Sequence, residues 1–128
     1  MTLISLEISV SERIRIINHK GIKVLFVDNS GLTTSEIVSS FPRRTKLAIE
    51  NKIVRTFIDL TNTTTDDRIK QAAHDSQAEI LEALGQNWIA STGIRGIQKI
   101  LANAAVKGQY FAANQEEALD WLVQQHSN

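Results

Sequence analysis

Apolar positions along the chain follow two rhythms. In "IRIINHKGIKVLFV" (Ile14 to Val27) two β-branched runs flank Asn18-His19-Lys20-Gly21, and Gly21 can take the positive φ that a hairpin turn requires. In the second run Ile22, Val24 and Phe26 share one face while Leu25 and Val27 take the other, which predicts a strand covered on both sides. "IVRTFIDL" (Ile53 to Leu60) repeats this two-sided apolarity, and "WIASTGI" reads as a short buried strand. "QYFAAN" predicts a last strand, and the partly alternating "LISLEISV" (Leu3 to Val10) predicts an edge strand at the start.

Between these runs the period lengthens to that of a helix. Ile69, Ala72, Ala73, Ile80, Leu81 and Leu84 predict an inward stripe on a helix over Asp66 to Leu84, with Gly85 as its stop. "RGIQKILANAAVKG" predicts a second amphipathic helix ending at Gly108. "QEEALDWLVQQ" predicts a closing helix whose two early acids suit the positive end of the helix dipole. After "NSGL", Thr33, Thr34 and Ser35 can cap a helix. Pro42 lacks the N–H of an interior turn, so a short helical turn over Ser35 to Ser40 is expected, then a second piece with Pro42 near its start. The order predicts one α/β domain over residues 1–128. Its sheet is mixed and largely parallel, of four to five strands, begun by an antiparallel hairpin, with right-handed crossovers. Ligand sites in such sheets favour the carboxyl ends of the strands.

Composition narrows the function classes. With 14 acidic and 14 basic residues, no net field draws the chain to nucleic acid or anionic lipid. The absence of cysteine removes disulfide and thiolate chemistry and suits a reducing cytoplasm. "MTLISLEISV" has no basic n-region and is interrupted by Glu7, so neither a signal peptide nor a stable membrane insertion is expected.

Four segments occur in an order that resembles a known family: "NHKGIKVLFVDNSGL", "FIDLTNTTTDD", "TGIRGIQKILANAA" and "ANQEEALDWL". Together they look like the SpoIIAA-like branch of the STAS domains, bacterial relatives of the anti-sigma-factor antagonists, from about Arg13 onward. The resemblance implies helices packed mainly on one side of the sheet and a non-enzymatic, regulatory protein that works through contacts. Antagonists of this family carry a phosphorylated serine in an Asp-Ser-Ser-Gly-like turn between a strand and the next helix. Set against Thr61 to Asp67, that pattern finds neither serine nor glycine.

Candidate chemistry gathers at three places. In "FIDLTNTTTDD" one of Thr63, Thr64 and Thr65 is expected to cap the helix, with Thr64 and Asp67 at capping-box spacing. The alternative is a phosphothreonine switch at Thr63, Thr64 or Thr65, which two neighbouring carboxylates would oppose. Asp28 and Asp59 end neighbouring strands, and with Asp66 or Asp67 they can form an acidic pocket for a hard cation, as in a receiver-like phosphotransfer protein. Asn29, standing where a second acid would help, argues against it. At "STGIRGI", Thr92, Gly93, Arg95 and Gly96 can present a helix N-terminus to an anion or lipid head group; otherwise Gly93 makes a turn and Gly96 a close approach.

His19, His74 and His126 have no metal or triad spacing and are expected at the surface. Trp88 and Trp121 are expected in core or edge packing. Arg43, Arg44 and Lys46 form a short basic patch without the interleaved aromatics of a nucleic-acid platform. The expectation is therefore a cytoplasmic, non-catalytic STAS-like domain with an unidentified protein partner, no nucleic acid and no cofactor. The alternatives are a small-ligand binder at the 93–96 helix start and a metal-dependent acidic pocket.

Overall fold

The structure, a computed structural model, describes residues 13–94 and 108–125. Strands β1 (Ile14–His19) and β2 (Ile22–Asp28) form the hairpin, with positive φ at Lys20 and Gly21. Helix α1 (Thr34–Glu50) leads to β3 (Arg55–Asp59), α2 (Asp67–Leu84) to β4 (Trp88–Thr92), and β5 (Tyr110–Phe111) to α3 (Gln115–Val123). The five strands lie in the order β1-β2-β3-β4-β5; β1 and β2 are antiparallel and the other pairs parallel. This is the mixed, largely parallel α/β sheet that the alternation of periods implied. The strand expected over Leu3 to Val10, the helix expected over Arg95 to Lys107, and His126 lie outside the described residues.

Each face of the sheet has its own core. On one side Leu25, Val27, Ile58 and Ile89 meet Ala48 of α1 and Ile80 of α2. On the other, Val24, Phe26, Phe57 and Ala90 meet Ala118, Leu119 and Leu122 of α3, with the Phe26 and Phe57 rings 5.0 Å apart. The alternate residues of β2 thus serve opposite cores, as a strand's two-residue period demands. Two of the three described helices share one face. The hydroxyls of Thr45 and Ser76, 2.6 Å apart, join them.

Arg55 fixes α3 at its carboxyl end. Its Nε donates to the Leu122 carbonyl at 2.9 Å, its Nη2 donates to the Gln125 carbonyl, and its guanidinium stands 5.2 Å from the Trp88 ring centre. None of the three described helices carries a basic residue in its last turn; for α3 the strand supplies the cation that the helix dipole favours. Trp121 stacks on Tyr110 at 4.9 Å.

Four expectations change. The helix does not break at Pro42: α1 runs unbroken from Thr34 to Glu50. Ile37, Phe41, Arg44, Thr45 and Ala48 make one continuous buried stripe, while Pro42 is exposed. Its ring therefore faces solvent, where the carbonyl it leaves unbonded can be hydrated. Leu81, expected inward, is 41% exposed, one helical step beyond the buried Ile80. His19, expected at the surface, is half-buried, and its Nε2 lies 2.7 Å from Asp120 Oδ1. The basic patch divides, because consecutive helical residues differ by about 100°: Arg43 is exposed and Arg44 is buried.

Candidate functional site

Two identical devices close β2 and β3. At the end of β2, Asp28 Oδ1 accepts from the Ser30 N–H at 3.0 Å and the Ser30 hydroxyl at 2.5 Å. At the end of β3, Asp59 Oδ1 accepts from the Thr61 N–H at 3.0 Å and the Thr61 hydroxyl at 2.7 Å. Each turn then needs a residue of positive φ, which Gly31 supplies at 70° and Asn62 at 56°. The turns are bonded to each other, Asn29 N–H to the Asp59 carbonyl at 2.9 Å and Gly31 N–H to the Thr61 carbonyl at 3.0 Å. The sequence signal was available: Asp28-Asn29-Ser30-Gly31 and Asp59-Leu60-Thr61-Asn62 share one pattern of carboxylate, hydroxyl and left-handed residue.

The acids expected to form a pocket are placed by this geometry. Asp28 and Asp59 are register partners on adjacent strands. Each commits an oxygen to its own turn, and Arg13 Nη1 lies 3.8 Å from Asp28 while donating to the Ser30 carbonyl at 2.7 Å. Asp66 is the N-cap of α2, accepting from the Ile69 N–H at 3.0 Å; that bond chiefly holds its carboxyl below the usual range. Among the described residues no group of three or more His, Asp or Glu side chains is placed to hold a metal ion.

The expected threonine cap is thereby corrected. Asp66, not Thr63, Thr64 or Thr65, caps α2, and a capping box forms instead at α1, between Thr33 and Glu36. A carboxylate one residue before the helix outcompetes hydroxyls placed further upstream, because only the N-cap position can reach the N2 and N3 amides. Thr63 turns its hydroxyl to the Leu60 carbonyl at 2.7 Å.

Gly93 packs against this rim. Its φ is 87°, and a Cβ built there would lie 2.6 Å from Thr61 N and 2.8 Å from Thr61 Cα. The glycine therefore serves a turn and a close approach together. The Thr92 carbonyl accepts from the Leu60 N–H at 2.8 Å, so this carbonyl is spent on the sheet. Arg95 and Gly96, the other half of the anticipated anion site, lie outside the described residues.

The threonines form part of another structure. Thr63, Thr64 and Thr65 line a cavity of about 70 Å³ between the sheet and helices α1 and α2. Thr64 is exposed and Thr63 and Thr65 are half-buried, so this loop is the cavity's outer wall. Arg44 is also on the lining, 6% exposed, with its guanidinium 4.3 Å from the Phe41 ring centre. Burial brings it down to about 10, which leaves it charged at neutral pH. Its Nε and the Oδ1 of Asn87 are buried without a hydrogen-bond partner among the described residues. Sequence reasoning missed this feature, since a basic triplet on a helix looks the same whichever residue turns inward.

Among the described residues no helix is long and apolar enough to cross a membrane. No family model matches the chain, and no curated protein matches it either.

Proposed function

We propose that this chain is a non-catalytic, regulatory binding module of the STAS-like kind, and that it contacts a protein partner through the rim at the carboxyl ends of β2 and β3. The observation that carries this reading is the pair of bonded turns, Asp28–Gly31 and Asp59–Asn62. They present hydroxyls and carboxylates on a rigid edge, and the acids are occupied as turn acceptors rather than left free for chemistry. The turn between β2 and α1 also matches the family's Asp-Ser-Ser-Gly-like pattern better than Thr61 to Asp67 does, with Asn29 as its one departure. Ser30 is then the residue where a phosphate would act. Its hydroxyl lies 2.5 Å from Asp28, so an added dianion would meet that carboxylate and open the turn.

The test is affinity capture on immobilised wild type, Ser30→Asp, Thr64→Asp and Lys23→Ala, with melting temperatures of each. The expected result is a defined partner retained by wild type and Lys23→Ala and lost with Ser30→Asp, while all four proteins stay folded. A partner retained equally by all four places the contact elsewhere.

A further inference from the structure

The contact rim leaves a buried charge unexplained. A guanidinium taken out of water needs an anion or a full set of acceptors, and folded proteins almost always supply them. The Phe41 ring offsets part of the cost for Arg44. Among the described residues no carboxylate stands on the cavity wall and Arg44 has no ion pair. The unpartnered Nε belongs to the edge of a guanidinium that grips a carboxylate with two parallel bonds. The same cavity holds an unpartnered acceptor, Asn87 Oδ1, on an amide whose Nδ2 already donates to Gln77 Oε1 at 2.6 Å. Much of the remaining wall is apolar, including Leu25, Ile58 and Ile80.

We propose that this cavity is a binding site for a short-chain hydroxycarboxylate. The carboxylate takes the Nε edge of Arg44, the hydroxyl donates to Asn87 Oδ1, and the alkyl stem lies against the aliphatic wall. The volume restricts the ligand to the shortest member of this class, glycolate: it is roughly half of the ~150 Å³ that admits a benzene ring, and longer hydroxy acids equal or exceed benzene in size. Inorganic phosphate carries the charge but would set its remaining oxygens against apolar side chains, where they lose hydration without replacement. Entry is past Thr63 to Thr65. The site adjoins the contact rim through Asn29 and Leu60, but neither Ser30 nor Asp28 lines it, so substitution at Ser30 leaves its wall unchanged.

The experiment is thermal unfolding of the full chain with glycolate, acetate or inorganic phosphate, with calorimetric titration of each. At about ten times its Kd, glycolate is expected to raise Tm by about 3 °C or more, acetate by less, and phosphate not at all. Arg44→Met should abolish the response while the unliganded protein melts at or above the wild-type temperature, because an uncompensated charge has gone. Asn87→Ala, which keeps Arg44, should erase the preference for the hydroxy acid over acetate, and it decides the matter if Arg44→Met fails to fold. The proposal is overturned if neither carboxylate shifts wild-type Tm, if phosphate alone does so, if the response survives Arg44→Met, or if the preference survives Asn87→Ala.

Discussion

Asp66 shows how much one position decides. It stands where a side-chain oxygen reaches the Ile69 amide, and three hydroxyls just upstream do not. Asp66→Ala should therefore lower Tm, whereas Thr64→Ala should change stability by less than about 0.5 kcal/mol. Equal losses from the two substitutions, in paired melting curves, would return the cap to the threonine. At the other helix, Thr33→Ala should cost about 1 kcal/mol, since it removes one half of a capping box with Glu36. Gly93→Ala should be far worse, at about 3 kcal/mol or more, because it sets a Cβ at positive φ against the Thr61 backbone. Chemical denaturation checks this, and a Gly93→Ala protein of wild-type stability would mean that the two turns are not in contact. The glycine was legible in the sequence as a turn. Its contact with Thr61 was not, since the two residues are brought together only by the pairing of β3 with β4.

At the scale of elements, α1 is the instructive case. A proline in a helix interior normally costs up to about 3 kcal/mol, and local rules alone would end the helix there. The buried stripe from Ile37 to Ala48 overrides them by packing on both sides of Pro42. Pro42→Ala should accordingly raise stability by about 1–3 kcal/mol without altering the fold. Unfolding in urea measures this, and a destabilised Pro42→Ala would show that the ring contributes packing that its exposure does not suggest. Propensity here marked a weak point, and tertiary burial decided whether the helix crossed it. The same helix turned Arg44 inward and Arg43 outward, a distinction that charge counting along the sequence cannot make.

For the molecule as a whole, four carboxylates are held below their ordinary pKa, three by partners nearby in the chain and one, Asp120, by the distant β1–β2 turn. The Thr33 amide and hydroxyl do this for Glu36, and the Ile69 amide for Asp66. The Tyr110 hydroxyl and the Ala113 amide do it for Glu117, and His19, then Lys20, for Asp120. A carboxyl whose folded pKa lies below its unfolded value stabilises fully above the unfolded value. That contribution is lost as pH falls through the folded one. Tm should thus drop below about pH 4.5, where unfolded Asp and Glu begin to take up protons. Asp120→Asn, which removes the link between the β1–β2 turn and α3, should make the drop shallower. Melting curves between pH 3 and 7 report both; identical slopes for the two proteins would exclude Asp120 as a contributor.

The two periods in the sequence by themselves determined the α/β class, the hairpin and the central strands. A strand buried on both faces and a helix striped every three or four residues each have only one way to hide their apolar groups. The positive-φ glycine at 93 was likewise fixed locally. The tertiary structure alone decided which polar residues met across long stretches of chain. Asp28 and Asp59 became neighbours through strand register, and His19 met Asp120 where α3 packs beside the hairpin. Arg44 became a buried charge with no ion pair among the described residues, because the helix that carries it closes over a cavity walled by a second helix and the sheet. Such facts depend on side chains far apart in the chain meeting at angstrom distances, and no window of sequence contains both members of the pair.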